Sequence, residues 1–153
     1  MSALFDKVDA NITRFLASYG IGILRITLGI VFLWFGALKF FPGFSSAEFL
    51  ASETIYKLSF GIIEQKVSLL ALALLETIIG IGLILRIYLR AILLLLLLQM
   101  LGTFTPLLLF PELTWTVFGA VPTLEGQYII KNIVLIAAAI VVGATVRGGK
   151  LVP

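Results

Sequence analysis

One apolar stretch, residues 67–85, constrains the fold of this chain more than any other. It is nineteen residues long, it is uncharged except for Glu76, and Lys66 and Arg86 bound it. A helix that rises about 1.5 Å per residue matches a hydrocarbon layer about 30 Å thick over that length. We therefore expect this stretch to span a membrane with Glu76 near mid-bilayer. An ionised side chain there costs about 2.5 to 3.5 kcal/mol or more, so Glu76 needs a partner.

The composition indicates that the rest of the chain also belongs to an integral membrane protein. Hydrophobic residues fill 61% of the 153 positions and charged residues 12%, whereas soluble domains are about 45 to 50% apolar. We interpret residues 1–153 as one integral membrane domain. Its four predicted spans are residues 22–41, 67–85, 91–110 and 128–146.

Two more helices are predicted outside the spans. Residues 3–19 alternate apolar and charged side chains at helical spacing, which indicates an amphipathic helix on the inner membrane surface. Its acidic residues argue against a cleavable signal peptide, so we expect the N-terminus to be retained. Ser45 and Glu48 have capping-box spacing and predict a short interfacial, bundle-capping helix over about residues 46–60. The predicted fold class is therefore all-α: four transmembrane helices, an N-terminal amphipathic helix and a short extracytoplasmic interfacial helix.

Packing signals mark the first and third spans. One face of the first span collects residues at steps of three or four, namely Arg25, Gly29, Phe32, Gly36 and Lys39. Small residues on such a face let a neighbouring helix approach closely. In the third span Pro106 removes the donor to the Gly102 carbonyl, which predicts a kink and a free carbonyl in the outer half of the membrane.

The distribution of charge predicts the orientation. Four spans place both termini and the short loop between the second and third spans on one side. That side collects most of the cations: Lys7, Arg14, Arg25, Arg86, Arg90, Arg147 and Lys150. The opposite loops hold Lys57 and Lys66 among five glutamates. The positive-inside rule then makes both termini of this multi-pass protein cytoplasmic.

Depth in the membrane suggests which polar residues meet. Lys39, Lys131 and Asn132 fall in the outer half, and Glu76 and Gln99 fall near the middle. Since lysine side chains can reach about 6 Å along the membrane normal, we expect Glu76 to pair with Lys131 or with Lys39. The predicted result is a polar pocket that opens outward. A buried ion pair that only fixes helix register is the alternative.

The remaining polar and aromatic candidates carry two interpretations each. Arg25 either snorkels to the inner surface, which we favour, or joins the site. Gln99 and Asn132 are ligand-binding candidates that more commonly serve as interhelical hydrogen-bonding residues. Trp34 and Phe35 can stack on a flat ring such as a quinone, although aromatic residues in a span usually face lipid or core.

The chain contains neither Cys nor His, which removes disulfides, thiol redox chemistry and the usual ligands for zinc, copper or iron. We therefore expect no metal and no covalently bound cofactor, so that any redox cofactor must be diffusible. The net charge of +3 does not indicate nucleic-acid binding, because the basic residues are scattered over chain ends and loops.

Four segments resemble the DoxX-like superfamily, in particular its YkgB branch, which includes the reactive chlorine resistance protein C. They are LRITLGIVFLWFGALKFFP at residues 24–42, LETIIG at 75–80, TFTPL at 103–107 and GQYIIKN at 126–132. The resemblance implies a four-helix inner-membrane protein of oxidative or electrophile stress. That superfamily includes a subunit of thiosulfate:quinone oxidoreductase and membrane partners of redox enzymes. The matching polar positions are Arg25, Lys39, Glu76 and Lys131.

Three functional hypotheses follow. The first is an accessory quinone- or redox-associated subunit whose outward pocket holds a small polar or ring-shaped ligand. The second is a transporter of a small solute or of protons, and the third is a structural or chaperone-like membrane partner. No activated nucleophile is visible, so we do not expect an enzyme that acts by itself. The expected partners are the lipid bilayer and either a redox enzyme or further copies of the chain.

Overall fold

A computed structural model describes residues 3–149 and the side chains of residues 5–149. Lys150, counted above among the inner-side cations, lies outside the described residues. The helices are α1 (Ala3–Leu38), α2 (Glu48–Leu58), α3 (Gln65–Leu85), α4 (Leu89–Thr103), α5 (Pro106–Leu109), α6 (Pro111–Thr114), α7 (Leu124–Ile130) and α8 (Asn132–Ala144). A two-stranded antiparallel hairpin, β1 (Trp115–Val117) and β2 (Val121–Pro122), lies between α6 and α7.

Within residues 3–149, four helical segments are long and apolar enough to cross a membrane. They are Phe5–Leu38, Gln65–Leu85, Leu89–Leu109 and Leu124–Ala144. The third consists of α4 and α5, and the fourth of α7 and α8. The predicted all-α fold with four spans is confirmed, and α2 is the short helix expected between the first two spans.

The N-terminal segment is helical, as expected, but no break separates it from the first span. α1 runs for 36 residues without interruption, which gives a length of about 54 Å. Neither Gly20 nor Gly22 has a left-handed φ, so the helical backbone continues through both residues. A Cβ atom built on either glycine would meet nothing within 4 Å. Residues 5–19 are all exposed. The amphipathic segment therefore extends the first span beyond the bundle instead of forming a second helix.

The capping box predicted at the start of α2 is wrong. The helix begins at Glu48, its N-cap residue is Ala47, and no side chain caps it. Glu48 Oε2 instead accepts a hydrogen bond from the Gly43 backbone N–H at 2.8 Å. Gly43 has φ +81°, a left-handed conformation that glycine adopts without strain. The carboxylate that matched the capping pattern is thus used to hold the turn after α1.

The third span is interrupted at Pro106, as predicted, but the freed carbonyl finds donors. α4 ends at Thr103 and α5 begins at Pro106. Gly102 O accepts from the Thr105 N–H at 3.2 Å and from Thr105 Oγ1 at 2.7 Å. The predicted free carbonyl is therefore wrong, because the Thr105 backbone and hydroxyl replace the donor that proline lacks.

The bundle core lies in the half that contains the turn between α3 and α4. α1 and α4 each pack against both α3 and α8, so the four spans form a closed ring. The core residues are Leu28, Phe32, Ile79, Leu83, Leu89, Ile92, Leu93, Leu96, Met100, Ala139 and Val142. The opposite half contains a cavity in place of such a cluster.

The closest helix pair is α1 and α3, and the glycine face predicted for the first span forms the contact. A Cβ atom built on Gly36 would lie 2.8 Å from the Thr77 backbone N, and one on Gly29 would lie 3.0 Å from Gly80 O. A Cβ atom on Gly80 would lie 2.5 Å from Leu33 N. Only glycine fits at these positions, so the predicted close approach of a neighbouring helix is confirmed.

Candidate functional site

The contact between α1 and α3 brings Lys39 to Glu76. Gly36 sits against Glu76, with an added Cβ only 2.9 Å from the Glu76 Cβ atom. Lys39 follows one turn later on the same face, and its Nζ lies 2.6 Å from Glu76 Oε2. The two side chains are 7% and 11% exposed. Lys39 Nζ also donates to Phe35 O at 3.3 Å.

Gln99 on α4 binds the second oxygen of the same carboxylate. Its Nε2 donates to Glu76 Oε1 at 2.7 Å, and the residue is buried. The carboxylate of α3 thus joins α1 through Lys39 and α4 through Gln99. Because the charge of Glu76 is matched by Lys39 and each of its oxygens has a donor, the buried acid is well compensated.

The structure selects Lys39 over Lys131 as the partner of Glu76. Lys131 lies exposed at the junction of α7 and α8, and its Nζ lies 3.9 Å from the centroid of the Tyr128 ring. This geometry is a cation–π contact at the protein surface. The alternative pairing of Glu76 with Lys131 is therefore wrong.

Asn132 and Trp34 differ in their relation to the site. Asn132 lines the cavity, and its Nδ2 lies 3.5 Å from Thr103 Oγ1, a long hydrogen bond between α8 and α4. Trp34 is 65% exposed and is not among the cavity-lining residues, whereas the adjacent Phe35 is. The cavity is thus lined by Phe35 and other aromatic residues, among them Phe32, but not by Trp34.

Arg25 lies inside α1, about four turns before Lys39, and does not join the site. Its guanidinium donates to the Leu83 carbonyl and, at 2.8 Å, to the Ile84 carbonyl. These carbonyls belong to the last turn of α3, where the helix dipole favours a cation. Arg25 therefore caps the C-terminal end of α3. Spacing along the sequence does not reveal these carbonyl acceptors.

A cavity of about 470 Å³ occupies the half of the bundle opposite the α3–α4 turn and has the Glu76 cluster at its inner end, the end nearest the packed core. Residues from all four spans line it, and α2 contributes Leu50, Thr54 and Leu58 across its outer end. The walls are predominantly apolar, with side chains such as Phe32, Leu38, Leu72 and Met100. Lys39, Glu76 and Gln99 supply the polar groups at the inner end, and Thr103 and Asn132 supply others.

Contacts on both sides hold α2 over the cavity. Lys57 Nζ donates to Leu109 O at 2.9 Å and lies 4.7 Å from the centroid of the Phe110 ring. Glu53 accepts a hydrogen bond from Gln65 at the start of α3. α2 therefore covers the end of the cavity farthest from the Glu76 cluster, the bundle-capping position that its apolar content predicts.

The fold and the site define a class: a small four-span membrane protein with a buried ion pair at the base of a capped, mainly apolar cavity. The family model described as DoxX matches residues 20–117, which is more than half of the chain, and the chain belongs to the DoxX family. The match includes Lys39, Glu76 and Gln99 and ends before Lys131 and Asn132. No curated protein and no solved structure matches the chain significantly.

Proposed function

We propose that this DoxX-family protein is an accessory membrane subunit that holds a quinone-like ring molecule for a redox enzyme under oxidative or electrophile stress. The observation that carries the proposal is the cavity of about 470 Å³, whose apolar walls end at Lys39, Glu76 and Gln99. Ligand sites are typically about 300 to 1,000 Å³ in volume, mostly apolar, with a few polar groups that fix orientation.

The charge at the inner end of the cavity favours a neutral ligand. Lys39 and Glu76 neutralise each other at 2.6 Å, so the site presents hydrogen-bonding groups without a net charge. A simple cation or anion would disturb this pair and gain no opposite charge in return. A neutral ring with polar substituents meets no such cost, and Phe32 and Phe35 offer it aromatic surface.

The residues present fit a quinone. Lys39 would bind an oxygen of the ring, and the apolar walls would surround the ring and the start of its hydrocarbon tail. A bound quinone would supply the capacity to carry two electrons and two protons between partner proteins. The protein itself contributes binding, orientation and exclusion of water by α2.

The proposal also covers the membrane in which the protein lies, its orientation and its branch within the DoxX family. We place the protein in the cytoplasmic membrane with both termini inside, because the basic residues concentrate on the side of the α3–α4 turn. The cavity then lies in the outer half of the bilayer. Within the family we assign the chain to the YkgB branch, on the four segments that resemble it.

Binding measurements on purified protein test the proposal. Native mass spectrometry of the wild type is expected to show a retained ring-containing lipid. In a titration with a decyl-substituted benzoquinone, Glu76→Gln should bind at least about tenfold more weakly than the wild type, because the substitution removes the charge that positions Lys39. Glu112→Gln makes the same change at an exposed position and should leave binding unchanged. Equal affinity of all three proteins would contradict the proposal.

The other two hypotheses predict different results. A transporter would give proton or solute flux into vesicles that Glu76→Gln abolishes, without a bound ring ligand. A purely structural partner would capture a redox enzyme equally well as wild type and as Glu76→Gln. Either pattern, combined with no retained ring molecule, would replace the proposed function.

A further inference from the structure

Within residues 3–149 two buried side-chain oxygens have no hydrogen-bond partner, Thr77 Oγ1 and Gln99 Oε1, and of these two residues only Gln99 lines the cavity. Gln99 Oε1 makes no hydrogen bond within residues 3–149, although the residue is only 9% exposed. The orientation of the amide follows from its neighbour: an ionised carboxylate only accepts, so Nε2 must face Glu76 and Oε1 must point elsewhere. Buried acceptors in proteins are almost always paired. Gln99 lines the cavity but Oε1 itself is closed to solvent, so a ligand can provide the missing donor once a small rotation of the side chain turns Oε1 toward the cavity.

Lys39 supplies the complementary group. Its ammonium carries three N–H bonds, of which one is directed to Glu76 Oε2 and one to Phe35 O. The third remains for a ligand acceptor. Lys39 and Gln99 bind the two oxygens of one carboxylate, so they are neighbours at the inner end of the cavity.

A hydroxyl group satisfies both residues at once. Its oxygen accepts from Lys39 while its O–H donates to the Gln99 carbonyl. A ketone oxygen accepts from Lys39 equally well, but it has no proton to offer and would place its lone pairs against those of Gln99 Oε1. The two redox forms of one ring therefore differ at this point of the site.

We infer that the site selects the reduced, hydroxyl-bearing form of its ring ligand, a hydroquinone or phenol, and that Gln99 is the residue that discriminates it from the oxidised form. The inference rests on the proposed function and specifies which form of the ligand is held. It concerns binding alone, since no electron transfer within this chain is needed for the discrimination.

Three probes of one ring test the inference on the wild-type protein. They are a decyl-substituted hydroquinone, the corresponding benzoquinone and the dimethyl ether of the hydroquinone, titrated anaerobically into protein in lipid nanodiscs. The ether keeps the ring and both oxygens but has no donor. The hydroquinone should bind on the order of tenfold more tightly than either of the others. Equal affinity for the hydroquinone and its ether would overturn the inference.

A protein variant tests the role of Gln99. Gln99→Met keeps a similar side-chain volume but removes the amide, both its carbonyl and the N–H that donates to Glu76, so the preference for hydroquinone over quinone should fall to about threefold or less. Gln127→Met makes the same change at an exposed residue outside the cavity and should keep the full preference. A Gln99→Met protein that retains the preference would refute the assignment.

Different binding results would contradict the inference and the proposed function. If none of the three probes binds the wild type, both are overturned. If quinone and hydroquinone bind equally well, the cavity is a ring site and only the discrimination by Gln99 is lost. The comparison on the wild type is decisive even if Gln99→Met does not fold.

Discussion

Glu76 is tolerated in its span because two different helices satisfy it. Lys39 neutralises the carboxylate and Gln99 donates to its second oxygen, so neither Glu76 oxygen lacks a donor. A buried pair of this kind adds little net stability, because removing two charges from water costs about as much as their attraction returns. The loss of one member is different, since it leaves the other charge buried without compensation.

This asymmetry gives a stability prediction for Glu76→Gln and Lys39→Met. Each single substitution should lower the free energy of unfolding by about 3 to 5 kcal/mol, since each leaves one buried charge unpaired. The double variant should recover a large part of the loss, because no unpaired charge remains. Thermal unfolding of the four proteins in detergent measures the coupling. Strictly additive losses would show that the two charges do not interact.

The same double variant separates structural and functional roles of the pair. If the pair only fixes helix register, the recovered double variant behaves as the wild type in every binding assay. If the pair forms part of a ligand site, stability recovers while binding of the ring ligand does not. The distinction does not depend on the stability of either single variant.

At the scale of the helices, three glycines determine where the ion pair forms. Gly29 and Gly36 on α1 and Gly80 on α3 leave no room for a Cβ atom between the two backbones. The resulting close contact sets both the separation and the rotation of the helices. Lys39 reaches Glu76 because it continues the same face one turn beyond Gly36.

Substitution at Gly80 should therefore disturb the contact. Gly80→Ala places a Cβ atom 2.5 Å from Leu33 N, so the backbones must separate, and we expect a loss of about 1 to 3 kcal/mol in the free energy of unfolding. Gly22→Ala is the matched control, because a Cβ atom added to this helical glycine meets nothing within 4 Å. The control should be neutral or stabilising by up to about 1 kcal/mol. Thermal unfolding of both variants checks the pair, and equal melting temperatures would contradict the prediction.

The sequence predicts depth in the membrane well and rotation about a helix axis less well. Rise per residue correctly placed Glu76 and Gln99 at one level, and the glycine face correctly indicated the α1–α3 contact. Lys131 lies at a depth similar to that of Lys39 by the same count, but the packing of α8 turns it outward. Trp34 lies about 140° around the helix axis from Lys39, and this angle alone argues against a site shared by the two side chains.

Local sequence patterns failed where another nearby residue bonded to the same group. Glu48 matches a capping box, yet its carboxylate binds the Gly43 N–H of the preceding turn. The proline in the third span leaves Gly102 without its usual donor, but the Thr105 side chain supplies one. In both cases the sequence identifies the unsatisfied group correctly, and the structure decides which neighbour satisfies it.

At the scale of the whole molecule, the two halves of the bundle are built differently. The half with the α3–α4 turn contains the packed core and the Arg25 contact to the end of α3. The other half contains the cavity, the broken third span and the covering helix α2. The packed core and the cavity therefore lie toward opposite sides of the bilayer, so the proposed function depends on which side faces outward.

The orientation can be measured directly because the chain contains no cysteine. Phe118, in the turn between β1 and β2, is 67% exposed, and Ile87, in the turn between α3 and α4, is 49% exposed. Arg86 and Arg90 flank the second turn and should retain it in the cytoplasm. In bacterial spheroplasts a membrane-impermeant maleimide should therefore label Phe118→Cys without treatment and Ile87→Cys only after permeabilisation. The cysteine-free wild type gives the background, and the reverse pattern would place the cavity on the cytoplasmic side.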